Sequence, residues 1–321
     1  MKIAIIGAGF SGLAACYYLS LRQGVEITVF DGKGLGGGAS GVAAGLLHPY
    51  AGPESKLNWR AGEGIRASTE LLEAASEHLG RPVFQKSGIL RLALSDRQKE
   101  AYRRAADAYA DVDRVEEVDV PGVAKTEGIF ISSGINVNCL DYLEGLWKAC
   151  ESRKCRLVRK HAQDLEEFKD FDVVILAAGA AANHFLPIKL YFIKGQLLKF
   201  EWPENLPPLK CPIVSKKYIV MDPGGRSCWV GSTYEKNFID HDVDVQSALA
   251  DIMPEARRMI PGLAKSRVID CQAAIRAFTP QRRPVALQVD QKHWAVAGMG
   301  SKGLLYHALM AKELDSSLNS S

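Results

Sequence analysis

The chain has 321 residues, 47% hydrophobic and 24% charged, the balance of an ordinary globular protein with roughly two cores. Its net charge of +3 is too small to mark a polyanion-binding protein, and no apolar stretch reaches the length of a membrane span. Seven cysteines, odd in number and never spaced as CxxC, speak against a disulfide framework or a zinc site and imply a reducing, cytoplasmic setting.

The first strand is the apolar run IAIIG (Ile3 to Gly7), of the kind buried on both faces of a parallel sheet. It starts too early to leave room for a cleavable leader. Ser11 to Leu21 reads as a helix, Gln23-Gly24 ends it, and EITVFD (Glu26 to Asp31) is a second strand, completing a βαβ unit. The glycine-rich stretch from Gly32 to Pro53 is long for a structureless loop, and such loops usually carry function. Arg60 to Leu79 sets Ile65, Leu72, Ala75 and Leu79 near one helical face. VFQKSGILRLAL (Val83 to Leu94) alternates around Lys86-Ser87-Gly88 as a hairpin does, and Asp96 to Ala110 is a polar helix.

Helical spacing returns at Asp141 to Cys150, followed by a strand near Arg156 to Val158. DVVILAAG (Asp172 to Gly179) then resumes the parallel sheet. Leu190 to Trp202 and Tyr218 to Tyr234 look like hairpins of an antiparallel sheet, the second turning at Pro223-Gly224-Gly225. Val243 to Ile260 is helical with a break before Pro254. HWAVAG (His293 to Gly298) feeds a glycine turn and a closing helix, with a short polar tail after Asp315.

GAGFSG (Gly7 to Gly12) follows a strand and opens a helix, the setting in which backbone amides at a helix start meet a pyrophosphate. Asp31 ends the second strand about twenty residues on, where an acid accepts hydrogen bonds from ribose hydroxyls. An acid there disfavours a ribose 2′-phosphate but does not separate NAD from FAD. GMGSKG (Gly298 to Gly303) is a second strand-to-helix glycine turn. One dinucleotide has one pyrophosphate, so a second helix start suits the electron-rich N1/C2=O edge of a flavin, with Lys302 adding charge. The plain alternative for either turn is a helix start that holds nothing.

Several blocks in one order carry a resemblance: GAGFSG with Asp31, GGGASGVAAGLLHPY (Gly36 to Tyr50), VVILAAGA (Val173 to Ala180), KGQL (Lys194 to Leu197), GSTYE (Gly231 to Glu235), IRAFTPQRRPV (Ile275 to Val285) and GMGSKGL. Together they resemble the D-amino-acid oxidase and glycine oxidase superfamily of FAD enzymes over nearly the whole chain. Within it the chain is most similar to the flavin oxidase half of the bifunctional bacterial enzymes that modify wobble uridine in tRNA.

The resemblance implies an α/β fold in which a Rossmann-like FAD-binding domain (1–80, 135–189 and 268–321) interleaves with an antiparallel-sheet substrate domain (81–134 and 190–267). It implies FAD contacts at Gly7, Ala8, Gly9, Phe10, Ser11 and Gly12, at Asp31, and at Ala39, Ser40, Gly45 and Leu46. Further contacts are implied at Ala178 and Gly179, and at Gly298, Gly300, Ser301, Lys302, Gly303 and Leu304. Relatives that tether FAD use a loop histidine or a cysteine near the C-terminal turn; Val42 holds the loop position and no cysteine follows Cys271, so non-covalent FAD is implied.

The implied reaction is oxidation of a C–N bond of an amino acid or N-substituted glycine, the cofactor doing the hard step. Arg276 falls at the family's carboxylate-forking arginine, and its neighbours Ala273, Ala274, Ile275, Ala277 and Phe278 suggest a buried strand. Tyr234 is placed at the substrate pocket, and Gly195 and Gln196 at the sheet over the flavin. His48 and Tyr50 lie in the cofactor loop, where contact with the ring and bracing of the loop both remain open. Gln281-Arg282-Arg283 stand before Pro284, where the family often has an acid, leaving the substrate's charge open. The same chemistry on carboxymethylaminomethyl-uridine in tRNA, or a non-catalytic flavin-binding module, are the alternatives. The basic run at Arg153 to Lys160 is either a contact for RNA or a solvated helix end. No metal-ligand spacing occurs.

Overall fold

Ile3 and Ile5 point one way and Ala4 and Ile6 the other, and all four are buried, so strand Lys2–Ile6 has a packed layer on each face. In the computed structural model, which describes residues 1–320, it sits inside a six-stranded sheet. The order is Arg156–Val158, Glu26–Phe30, Lys2–Ile6, Val173–Leu176, His293–Ala297, Val285–Gln288. The first five strands run parallel and the last antiparallel. From Lys2–Ile6 the chain winds outward on one side and later returns to build Val173–Leu176 on the other. That reversal opens a crevice at the carboxyl ends of the two strands, where ligands bind in sheets of this kind.

Six α-helices occur among the described residues: α1 (Phe10–Leu19), α2 (Ala61–Leu79), α3 (Asp96–Ala108), α4 (Cys139–Glu151), α5 (Val245–Met259) and α6 (Gly303–Ser320). Side chains of α1, α2, α4 and α6 pack with Ile3, Ile5, Val29 and Val296 in one core. Burying each such large aliphatic side chain contributes about 1.5–3 kcal/mol. Phe168 closes the opposite face over Ala4, Ile6 and Leu176.

A second sheet of eight strands runs Val268–Phe278, Tyr191–Glu201, Ser227–Gly231, Tyr218–Met221, Ile213–Val214, Ile89–Leu92, Gly128–Ile131, Val112–Val115. α5 covers one face, laying Ala248, Ile252, Ala256 and Met259 on Leu198, Phe200 and Val230. Strand Val268–Phe278, sequentially part of the 268–321 segment, is hydrogen-bonded along its length to Tyr191–Glu201. A small sheet joins Leu46–Leu47 and Phe84–Gln85 to either side of Ile135–Val137.

Local pattern and structure differ in four places. Val83 to Leu94 is not a hairpin: Phe84–Gln85 pairs with Ile135–Val137 and Ile89–Leu92 with Gly128–Ile131, in different sheets. Gly88 (φ 70°) makes the crossing, because a Cβ there would strike the Phe130 ring at 2.1 Å. Leu190 to Trp202 is one long strand, Tyr191–Glu201, with Gly195 inside it rather than at a turn. α5 continues through Pro254, which lies on the exposed face; the carbonyl four residues back, of exposed Ala250, loses its donor to water. The residues after Asp315 continue α6, and Asp315 itself is paired with Arg22.

His307 of α6 is fully buried, its Nδ1–H donating to Gly303 O at 3.0 Å and its Nε2 accepting from the Tyr142 hydroxyl at 2.5 Å. Burial pushes its pKa from 6.5 down to about 4. The unfolded chain therefore takes up a proton that the native state refuses, and stability falls as pH drops from about 6.5 toward 4. Thermal melts across that window should show His307→Gln with a shallower pH dependence than the wild type, by up to about 1.4 kcal/mol per pH unit. Parallel curves would show that His307 does not contribute.

Candidate active site

The two glycine turns lie side by side. Gly303, the first residue of α6, sits so close to the first residue of α1 that a Cβ on it would be 3.3 Å from the Phe10 ring, and the Phe10 and His307 rings are 5.5 Å apart. α1 has neither a side-chain cap from its own N-cap residue, Gly9, nor an acid in its first turn. Ala8 N–H donates to Asp31 Oδ2 at 2.8 Å and Phe10 N–H to Ser40 Oγ at 3.0 Å. The amides of Ser11 and Gly12 find no acceptor among the described residues. At the other turn Gly300 N–H donates to Ala277 O at 2.8 Å and Lys302 N–H to Met299 O at 3.0 Å, leaving the amides of Ser301, Gly303 and Leu304 free. Two adjacent helix starts with unsatisfied donors form a strongly anion-seeking surface. Gly12 permits the arrangement at α1, since a Cβ there would lie 1.8 Å from Gly7 O.

These donors fit FAD, whose pyrophosphate and ring edge are both electron-rich. Asp31 has a structural task as well, because its Oδ1 also accepts from Lys33 and Gly34 amides at 2.8 and 2.9 Å, tying the glycine loop to the first turn. Ala39 is exposed, while Ser40 folds back over the start of α1. Gly45 and Leu46 enter the small sheet against Val137 and Asn136. Ala178 and Gly179 follow Val173–Leu176 at its carboxyl end, where Ala177 packs on Gly7.

The loop aromatics brace the loop. His48 Nδ1 accepts from the Tyr50 amide at 3.3 Å, and burial, with Arg91 nearby, holds its pKa at about 3, so the ring is neutral. Tyr50 bonds Asp111 and packs on Tyr109.

A cleft of about 730 Å³ opens beside the α6 start. Tyr218, Ser232 and Tyr234 form one wall, and Phe278, Met299 and Lys302 another. Arg276 stands just behind the first wall: its Nη2 donates to Ser232 Oγ at 3.1 Å and Thr233 O at 2.9 Å, and its Cζ lies 5.8 Å from the centre of the Tyr234 ring. Its Nε and Nη1 bond no protein group and it has no carboxylate ion-pair partner among the described residues, although burial pushes its pKa down. Tyr218 adjoins it, and burial raises the phenol to about 12, so its hydroxyl keeps its proton.

Gly195 makes this possible. Residues 193, 195 and 197 face the same side as Arg276, whose guanidinium crosses Gly195. Gln196 points the other way, fully buried, its Nε2 donating to Glu235 at 2.9 Å and its Oε1 accepting from the Asp244 amide at 2.6 Å. It props the 232–235 segment and the start of α5. Tyr234 projects into the cleft, half exposed.

Sequence reasoning missed Tyr218, Ser232 and the Ala51 to Pro53 hairpin tip, which also line the cleft. Their partners come from distant strands; Ser232 lies within the GSTYE block, and the Tyr218–Gly231 register brings Tyr218 beside it. The basic run at Arg153 to Lys160 lies at the edge strand Arg156–Val158, outside the cleft, with Arg153 over Tyr17 and Lys160 paired with Glu167.

Residues 2–316 match the family model described as FAD dependent oxidoreductase (DAO). The tRNA 5-methylaminomethyl-2-thiouridine biosynthesis bifunctional protein of Maricaulis maris is 29% identical across 98% of this chain, which spans 52% of that protein. Among solved structures, glycine oxidase from Geobacillus kaustophilus superposes with a TM-score of 0.83 at 19% identity, covering 100% of this chain and 95% of that one. Iminodiacetate oxidase from a Chelativorans species gives 0.81 at 21% identity, covering 99% and 95%. No helix among the described residues is long and apolar enough to cross a membrane.

A Cβ at residue 195 would lie 1.8 Å from Arg276 Nη2. Gly195→Ala should therefore swing the guanidinium away and raise KM for a carboxylated amine about tenfold or more, while the purified protein keeps its flavin absorbance. An unchanged KM would mean that Arg276 does not need this seat.

Proposed function

The chain belongs to the DAO family of FAD-dependent oxidoreductases, and from that premise we propose that it oxidises a C–N bond of an amino acid or N-substituted glycine. The observation that carries the reading is Arg276, a partly buried guanidinium beside the cleft with no acid partner and free Nε and Nη1 donors. A buried cation of this kind calls for an anion, and a planar fork suits a carboxylate. The match to the family of FAD-dependent oxidoreductases and the two free helix starts agree on the cofactor.

Bound FAD supplies the acceptor for the hydride that leaves the amine carbon. The chain's own residues do the rest. Arg276 anchors the carboxylate, Tyr218 offers a hydroxyl that stays protonated, and Tyr234 packs on the substrate at the cleft wall. The positive charge of Lys302 and Arg282 along the cleft disfavours an ammonium and so holds the substrate amine in its neutral, oxidisable form. The amides of Ser301, Gly303 and Leu304, with Lys302, would hold the electron-rich edge of a bound flavin, and the Gly7 to Gly12 turn with Ser40 would hold its pyrophosphate.

In this reading residues 1–80, 135–189 and 268–321 hold the cofactor and 81–134 and 190–267 the substrate, with strand Val268–Phe278 serving both. Its partner is a small carboxylated amine handled in the cytoplasm. With Val42 in the loop, FAD is held without a covalent tether.

Arg276→Ala should lower kcat/KM for such an amine by about 2–4 kcal/mol, chiefly through KM, in anaerobic flavin-reduction kinetics. Bleaching that is unaffected by the substitution, or a flavin that no amine reduces, would overturn the reading. Denaturation in acid or guanidinium should release all the flavin into the filtrate; colour retained on the unfolded chain would contradict the untethered cofactor.

A further inference from the structure

The acids around the cleft are already committed. Asp251 is bonded to Lys217, Glu235 accepts from Gln196 and Thr233, and Glu255, just outside, takes Lys216. Three cations at or beside the cleft have no acid partner among the described residues: Arg276, Lys302 and Arg282. Among the described residues Lys302 Nζ makes no hydrogen bond or ion pair, and the Arg282 side chain makes one long hydrogen bond, Nη1 to the Tyr234 hydroxyl at 3.4 Å, with its Cζ 5.8 Å from the centre of the Phe278 ring. The two are close enough that burial and then the charge of Arg282 push the Lys302 pKa down.

A substrate carboxylate on Arg276 and the flavin edge at Lys302 account for two of the three. Arg282, an exposed residue at the mouth of the cleft, is still without an anion. Its backbone is left-handed (φ 54°), a conformation that non-glycine residues rarely hold unless the surroundings impose it. Here the surroundings are a clamped turn: Arg282 N–H donates to Thr279 O at 3.0 Å, and the buried Thr279 hydroxyl donates to Arg283 O at 2.6 Å. Tyr234 stands between the two arginines, its ring toward Arg276 and its hydroxyl toward Arg282.

We propose that Arg282 is a second anion subsite, at the opposite end of Tyr234 from Arg276, and that the substrate is an amine carrying two carboxylates, one held by each guanidinium. The inference rests on the amine-oxidation reading above and narrows its substrate class to amino dicarboxylates.

The test uses the FAD-loaded protein and thiodiacetate, a thioether dicarboxylate with no C–N bond to oxidise, against methylthioacetate, its monocarboxylate counterpart. Binding is read from perturbation of the flavin spectrum, so it needs no turnover. Thiodiacetate should bind about tenfold or more tightly than methylthioacetate. Arg282→Asn, which tolerates the left-handed backbone, should collapse that ratio toward one, and Arg282→Lys should keep part of it. Equal binding of the two acids by the wild type, or a ratio that survives in Arg282→Asn, overturns the subsite even if amines bleach the flavin. A preference for a phosphate-bearing oligonucleotide over thiodiacetate overturns it too, in favour of an RNA substrate. A large ratio in a protein whose flavin no amine reduces supports the subsite and sinks the oxidase reading instead.

Discussion

The close approach of Gly303 to the Phe10 ring sets the two glycine turns side by side. It brings the starts of α1 and α6, nearly three hundred residues apart in sequence, to one spot at the carboxyl edge of the parallel sheet. Each start alone is a modest anion site; adjacent, their free amides reinforce one another, and few other groups nearby can satisfy them. The buried His307, bonded to Gly303 O at one nitrogen and the Tyr142 hydroxyl at the other, locks the α6 start in place from behind.

The same turn reaches the substrate side. Gly300 N–H bonds Ala277 O, one residue beyond Arg276, so the second glycine turn and the strand that carries Arg276 are stitched by a backbone hydrogen bond. The turn and the strand are therefore held in register by backbone rather than by flexible side chains. Commitment of the cleft acids elsewhere, to lysines and to Gln196 and Thr233, leaves an excess of positive charge in the cleft. Strand Val268–Phe278 thus belongs by pairing to one sheet and by its last residues to the other layer, an overlap that makes a sharp domain boundary at 267/268 a matter of sequence rather than of packing.

Much was legible beforehand because it is written in short-range pattern. Doubly buried runs such as IAIIG and VVIL announce parallel strands, and the two glycine turns announce helix starts close to something electron-rich. The errors came where a local signal had a long-range cause. Gly88 resembles a turn residue yet clears the Phe130 ring between two sheets, and Gly195, within a stretch that reads as a hairpin, clears the Arg276 guanidinium inside one strand. Pro254 resembles a helix stop but falls on a face where water can replace the lost bond. Gln196 ties the 232–235 segment to the start of α5, a link between distant residues that no local pattern announces.

By itself the sequence determined the α/β class, the two glycine cradles, the acid at Asp31 and the arginine at 276, because each depends on residue type and spacing within a few turns of chain. Only the tertiary structure decided that the cradles adjoin, that Arg276 lacks an acid partner, and that Tyr218, Tyr234 and Arg282 surround one cleft. Those facts depend on strand register and on which charges are already paired, and pairing between residues far apart in sequence leaves no periodic trace along the chain.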